Sequence, residues 1–195
     1  PPKVINLELV KNITGDTEID TDIKIYFNKS LRQTPAPEMI VTDMDTGTSV
    51  SGKTNLIENV CLVFTPEQDF GYDTFYKIEL TDVCDEEGIS LEGWEEVFLT
   101  EVQVSEIQSV EAGVEQYTLS VPQPTGEEVS LNILVPEAVL SAGTKMQVRN
   151  VHTCKKKELA KKAYYKQMSV TPAIYELLAY EQEESITGRI NGKLT

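Results

Sequence analysis

The side chains most abundantly placed to do chemistry in this chain are carboxylates, and they gather at turns. Asp43-Met44-Asp45-Thr46-Gly47 has the Asp-x-Asp-x-Gly opening of a calcium loop. Calcium takes about six to eight oxygens, and alternate Asp residues on a turn can supply several. The acid that should close such a loop is missing, because the chain continues Thr48-Ser49-Val50-Ser51-Gly52. Asp and Gly are also favoured in plain hairpin turns for backbone reasons, and that reading is preferred. Asp82, Asp85, Glu86 and Glu87 form a second acidic group, again read as a solvated turn first. No cofactor is called for. Calcium is the one ion these acids could hold, with Asp43, Asp45, Asp82 and Asp85 as candidate ligands.

Other reactive constellations are thin. His152 is the only histidine, and no serine sits in a Gly-x-Ser-x-Gly elbow. A Ser-His-Asp triad is therefore unsupported, and a zinc site with several His ligands is excluded by count. His152 reads as a polar loop residue. Acids are plentiful over 67–101, but on exposed turns they lack the buried surroundings that raise a carboxyl pKa for acid catalysis. No catalytic residue is named, and no enzyme is expected. The three cysteines, Cys61, Cys84 and Cys154, cannot close a disulfide framework, and none has CxxC spacing. Cys61 reads as a small core residue, and a Cys84–Cys154 bridge is left open.

Two surface features remain. Tyr72, Phe75, Tyr76 and Trp94, with Tyr164, Tyr165, Tyr175 and Tyr180, could stack on sugar rings if two or three were exposed together. Strand alternation assigns some of them to the core, and the core reading is preferred. Residues 145–166 hold eight basic residues and one acid. The plain reading is a solvated face. The sharper one makes Lys155, Lys156, Lys157, Lys161 and Lys162 a dock for an acidic partner, either a neighbouring protein surface or an anionic wall polymer.

The elements that must carry these residues are short strands. Val4–Val10, Ile23–Phe27, Met39–Thr42, Ser49–Lys53, Asn59–Phe64, Tyr76–Leu80 and Trp94–Thr100 are predicted strands, with turn signals between them. Further on, strands are predicted at Glu106–Val110, Gln116–Val121, Val129–Val135, Tyr164–Val170 and Ile174–Tyr180. Lys155–Gln167 is a short helix or a basic loop leading into the fourth of these, and Asn191-Gly192 signals a hairpin. A weak repeat links the halves: Pro66-Glu67 with Pro136-Glu137, Thr74 with Thr144, Lys77 with Lys145, Val83 with Val151.

Composition divides the chain at the same place. Of its 195 residues, 40% are hydrophobic, which is a globular composition. Residues 1–102 hold 7 Lys and Arg against 21 Asp and Glu, a net of −14. Residues 103–195 hold 10 against 11, a net of −1, and no Asp follows Asp85. The acidic half repels nucleic acid, so no nucleic-acid partner is expected. No apolar run approaches the roughly 18 residues of a membrane span. The chain opens Pro1-Pro2-Lys3 with no apolar segment, so no signal peptide is expected within it, and it reads as a processed chain or an excised fragment.

Four segments carry a family resemblance. Ile23-x-Ile25-x-Phe27-Asn28-Lys29-Ser30-Leu31 resembles the opening of the bacterial Ig-like domains of S-layer proteins and adhesins. Val63-Phe64-Thr65-Pro66 resembles that family's "v-x-F-x-P" element. Tyr76-Lys77-Ile78-Glu79-Leu80, with Asp82-Val83 and Asp85-Glu86-Glu87-Gly88, resembles its next segment, and Val97-Phe98-Leu99-Thr100 its closing "F-x-T". Cys84 and Glu86-Glu87 depart from the pattern. The resemblance implies an Ig-like sandwich at 1–102 and no catalytic residues. Residues 103–195 are then expected to form a second, divergent sandwich, complete or truncated, giving an all-β tandem of Ig-like sandwiches. The implied role is a spacer, assembly or adhesion module of a larger bacterial cell-surface or secreted protein. Its partners would be other domains of the parent or neighbouring surface proteins, or a polysaccharide. A carbohydrate-binding or ancillary module of a surface glycoside hydrolase, and a phage decoration or fibre protein, are the alternatives.

Overall fold

The structure is a computed structural model and describes residues 1–123, 126–136, 139–155, 175–181 and 184–185. It is all-β and sandwich-like: antiparallel sheets account for nearly all its regular structure, with a single helical turn at 153–155 among the described residues. The chain divides into two compact units, Pro1–Glu101 and Val102–Thr195.

The first unit contains β1 (Val4–Glu8), β2 (Ile23–Phe27), β3 (Glu38–Asp43), β4 (Gly52–Ile57), β5 (Cys61–Pro66), β6 (Phe75–Thr81) and β7 (Glu95–Leu99). They form two antiparallel sheets, in the orders β1-β2-β5-β4 and β3-β6-β7. Side chains alternate across a strand, so β2 buries Ile23, Ile25 and Phe27 and leaves Lys24 and Tyr26 outward. Leu62 and Phe64 of β5 and Met39, Val41, Tyr76, Ile78 and Phe98 of the other sheet complete one continuous core. Phe70, Tyr76 and Phe98 pack as an aromatic trio, with ring centroids 4.8–5.4 Å apart.

Three local devices tie these strands to one another. The Phe64 ring lies over Gly52 on the neighbouring strand, where a Cβ would sit 2.3 Å from Cζ, so only glycine fits. The Tyr76 hydroxyl accepts a hydrogen bond from the Gly71 amide at 2.8 Å. Such a bond, between a strand tyrosine and backbone a few residues upstream, is called a tyrosine corner. Thr100, fully buried, accepts from the Thr74 amide at 3.0 Å and donates to the Gly71 carbonyl at 2.6 Å. The closing strand is thereby pinned to the turn that launches β6.

Two strand expectations are corrected. The Ser49–Lys53 strand is displaced to Gly52–Ile57, because Ser49 and Val50 bond back to β3 through Thr42 and Val41. The Asn59–Phe64 strand starts at Cys61, because Glu58 and Asn59 take left-handed φ of 50° and 59° and form the turn after β4.

The second unit contains β8 (Gln108–Ser109), β9 (Gln116–Pro122), β10 (Glu128–Leu134), β11 (Lys145–Asn150), β12 (Tyr175–Glu181) and β13 (Glu184–Ser185). β9 and β10 form a two-stranded sheet, and the other four form a sheet in the order β13-β12-β11-β8. Tyr117, Leu119 and Val121 of β9 point inward, with Met146 and Val148 of β11. The Tyr164–Val170 strand, most of the Lys155–Gln167 segment and the Asn191-Gly192 hairpin lie outside the described residues.

The pairing scheme of the second unit repeats part of the first. β8–β11, β9–β10 and β11–β12 are antiparallel, as are β3–β6, β4–β5 and β6–β7 in the same chain order. Ile78 and Met146, which follow the matched Lys77 and Lys145, are both fully buried at equivalent places. Among the described residues, nothing in the second unit stands where β1 and β2 stand in the first.

Candidate functional site

The acids singled out from the sequence lie on two turns of the first unit. At the first, the Asp43 carboxylate accepts hydrogen bonds from the amides of Asp45 at 2.8 Å and Thr46 at 3.1 Å. The Asp43 carbonyl accepts from Gly47, whose φ of 72° closes the turn. This is the short-range backbone bonding that favours Asp at turns. Asp45 is exposed.

At the second turn, Asp85 is buried, with a relative exposure of 3%. One carboxylate oxygen accepts from the amides of Ile89 at 2.9 Å and Glu87 at 3.1 Å. The other accepts from Lys29 Nζ at 3.1 Å. The amide of Ile89, the Lys29 ammonium and the amide of Glu87 all favour the ionised form, and they hold the carboxyl below its ordinary value of 3.8 against the opposing effect of burial. Leu31 bridges to Asp85, and the Arg32 amide donates to the Cys84 carbonyl. Asp85 thus ties the loop after β2 to the turn after β6. Asp82, at φ 57°, is exposed, as are Glu86 and Glu87. Among the described residues, no three His, Cys, Asp or Glu side chains come together in a way that could hold a metal ion.

The remaining expectations resolve residue by residue. Cys61, Cys84 and Cys154 are all free. Cys61 is buried among the hydrophobic residues, as read from the sequence, and lies opposite Tyr26, beside rather than within the main core cluster. Burial pushes its thiol pKa up, opposite to a reactive cysteine. His152 is buried at 2% exposure, not a solvated loop residue: it follows Arg149 and Asn150 of β11, which are buried too. Arg149, inside the basic stretch, pairs with Glu176 on β12 at 2.8 Å. Lys155 is exposed, and Lys156, Lys157, Lys161 and Lys162 lie outside the described residues. Of the aromatics, Tyr76 is core and Trp94 packs against it, while Tyr72 and Phe75 are 42% and 38% exposed. Tyr175 and Tyr180 are on β12, and Tyr164 and Tyr165 lie outside the described residues.

The sequence did not signal an open groove of about 650 Å³ in the first unit, lined by Leu7, Leu9, Val97 and Leu99 with Glu8, Asp16 and Glu96 at hand. It brings together β1 and β7, which are distant in sequence and sit in different sheets, so no local motif announces it. Among the described residues, no helix is long and apolar enough to cross a membrane.

No protein-family model matches the chain, and no curated protein does. Solved structures do resemble it. The crystal structure of the N-terminal part of the bacterial S-layer protein SbsC is 14% identical at a TM-score of 0.42, over 76% of this chain and 40% of that one. The S-layer protein rSbsC(31-844) is 14% identical at 0.41, over 76% of this chain and 23% of that one. Domains 1–6 of SbsC are 14% identical at 0.41, over 89% of this chain and 25% of that one. This chain therefore spans less than half the length of each of these three structures.

Proposed function

We propose that this chain is a non-catalytic structural or binding module, serving as spacer, assembly or adhesion unit of a larger bacterial cell-surface or secreted protein. One observation carries the reading: the most deeply placed acid among the candidates, Asp85, joins two loops through its carboxylate. A general acid needs its pKa raised toward the working pH, and Asp85 is shifted the other way. The tyrosine corner at Tyr76 supports the immunoglobulin-type reading of the first unit, and the surface context rests on the segments between Ile23 and Thr100 quoted above.

The test is a turnover screen beside a wall-binding assay. The chain is offered chromogenic glycosides, esters and peptides, and separately isolated bacterial cell walls. The reading expects no turnover above buffer. Turnover that disappears on replacing a single carboxylate would overturn it. A sugar-binding role is favoured only by the exposure of Tyr72 and Phe75. It predicts saturable polysaccharide binding that is lost in the Tyr72→Ala/Phe75→Ala variant.

A further inference from the structure

We propose that the groove between β1 and β7 receives an extended, basic segment of a partner protein, which adds its backbone to the free edge of β7. β1 and β7 each stand at the end of their sheet's strand order, so each has one unpaired edge. The groove is lined by the unbroken runs Leu7–Leu9 and Glu96–Leu99. Phe98, whose ring packs in the core, is among them. Inward and outward residues of one strand line the same groove where it runs along the strand's edge.

The chain itself pairs with this edge just beyond β7. Thr17 bridges Thr100 in parallel, and the Glu101 amide donates to the Thr17 carbonyl at 2.8 Å. The neighbouring segment then departs: Gly15 takes a φ of 82°, and the turn closed by Asn12 and Asp16 leads back to β1. Glu95–Leu99 is left with no backbone neighbour on that side among the described residues. The Val97 amide donates at 3.1 Å to the side chain of Glu96 instead. Leu7, Leu9 and Leu99 are only half-buried, and Val97 is 42% exposed. An extended peptide that adds a strand to such an edge gains affinity from main-chain hydrogen bonds and covers the apolar residues beside it.

Charge identifies the occupant. Glu8, Asp16 and Glu96 line the groove, and Lys11, its one lining cation, donates to the Thr17 hydroxyl. The Glu8 carboxylate accepts from the Tyr26 hydroxyl and the Asn6 side-chain amide, and Glu96 accepts from the Val97 amide. Neither Glu8 nor Glu96 lies within ion-pair distance of a cation among the described residues. Residues 1–102, all of them described, carry a net of −14. Such a surface repels a second copy of itself and draws a cationic chain. A segment alternating Lys or Arg with apolar residues meets every feature. Its backbone pairs with β7, its apolar side chains cover Leu7, Leu9, Val97 and Leu99, and its cations reach Glu8 and Glu96. This names a partner for the assembly role and rests on that reading. Absence of binding here would leave the turnover and cell-wall outcomes untouched, so the two fail separately.

Fluorescence anisotropy of the whole 195-residue chain with the labelled peptide Lys-Val-Lys-Val-Lys-Val-Lys tests the groove. The salt is set at about 0.15 M, where charges more than about 8 Å apart are largely screened. Saturable binding is expected. The peptide with its valines replaced by proline keeps the charge but cannot join a ladder, and it should bind at least about tenfold more weakly. Glu8→Gln/Glu96→Gln should weaken the alternating peptide at least about threefold. Glu86→Gln/Glu87→Gln, the same charge change on the turn after β6, should leave its binding nearly unchanged. All four acids are exposed, so both variants should unfold like the parent chain. No saturable binding, equal binding of the two peptides, or equal weakening by the two variants would each overturn the proposal.

Discussion

β5 and β10 show how much of a strand's burial belongs to its neighbours. Each alternates apolar and polar residues, and each forms a hairpin with the strand before it. β5 has a neighbour on both sides, and even its outward Cys61 and Val63 are buried. Among the described residues β10 has one neighbour, β9, and its inward residues are only partly buried. Sequence pattern decides which face turns inward; flanking strands decide how far water is removed from it.

The sharpest way to break this comparison is to truncate one inward leucine on each strand. Leu62→Ala should cost about 2–5 kcal/mol, as expected for a fully buried leucine in a packed core. Leu131→Ala should cost less, about 1–2 kcal/mol, because its side chain is only partly withdrawn from water. Urea unfolding followed by circular dichroism gives both values. Equal losses would mean that the edge strand is as well packed as the central one.

The next effect comes from overfilling rather than emptying. Gly52→Ala places a methyl 2.3 Å from the Phe64 ring and should destabilise the first unit by about 1–3 kcal/mol. Ser130→Ala, on the exposed face of β10, should change stability by less than about 0.5 kcal/mol. Similar effects at the two positions would remove the distinction between the closed sheet and the open one.

A pH series sharpens the role of Asp85. Its folded carboxyl titrates below the ordinary 3.8, so the ionised form stabilises the fold. That contribution is complete above the unfolded value and is lost as pH falls through the folded one. The stability gap between the parent chain and Asp85→Asn should therefore be widest above about pH 5 and shrink as pH falls below about 4. A gap that is flat with pH would show that the Lys29 pairing and the ionised form contribute nothing.

Much of the first unit was legible because its signals are local. The alternation of Ile23, Ile25 and Phe27, the Phe64–Pro66 strand end and the Tyr76–Leu80 strand all mark residues whose inward neighbours are other strands of the same pattern. Gly52 was not read as a packing glycine, because the Phe64 ring that demands it arrives from across the sheet. Asp85 looked like its exposed neighbours for the same reason: Lys29, which meets its carboxylate, lies 56 positions earlier. Arg149 was read as part of a solvated face because a basic stretch gives no sign that it begins in the buried end of β11, and His152, a loop residue as read, is buried just beyond that strand.

The smallest expected effect concerns calcium, and here the expected outcome is no shift. A ligand that binds only the native state raises the unfolding midpoint, by about 2.7 kcal/mol of stability at a hundred times its dissociation constant. To bind at the Asp43 turn, calcium would have to draw the Asp43 carboxylate away from the amides of Asp45 and Thr46 that it already serves. At the second turn it would have to displace Lys29 and two amides from Asp85. The exposed Asp45 and Asp82 leave too few oxygens for an ion that takes about six to eight. Thermal unfolding in millimolar calcium and in EDTA should therefore coincide. A higher midpoint in calcium, abolished by Asp43→Asn or by Asp82→Asn, would show that the turn rearranges around the ion, and the first unit would then owe part of its rigidity to metal rather than to its closed sheet.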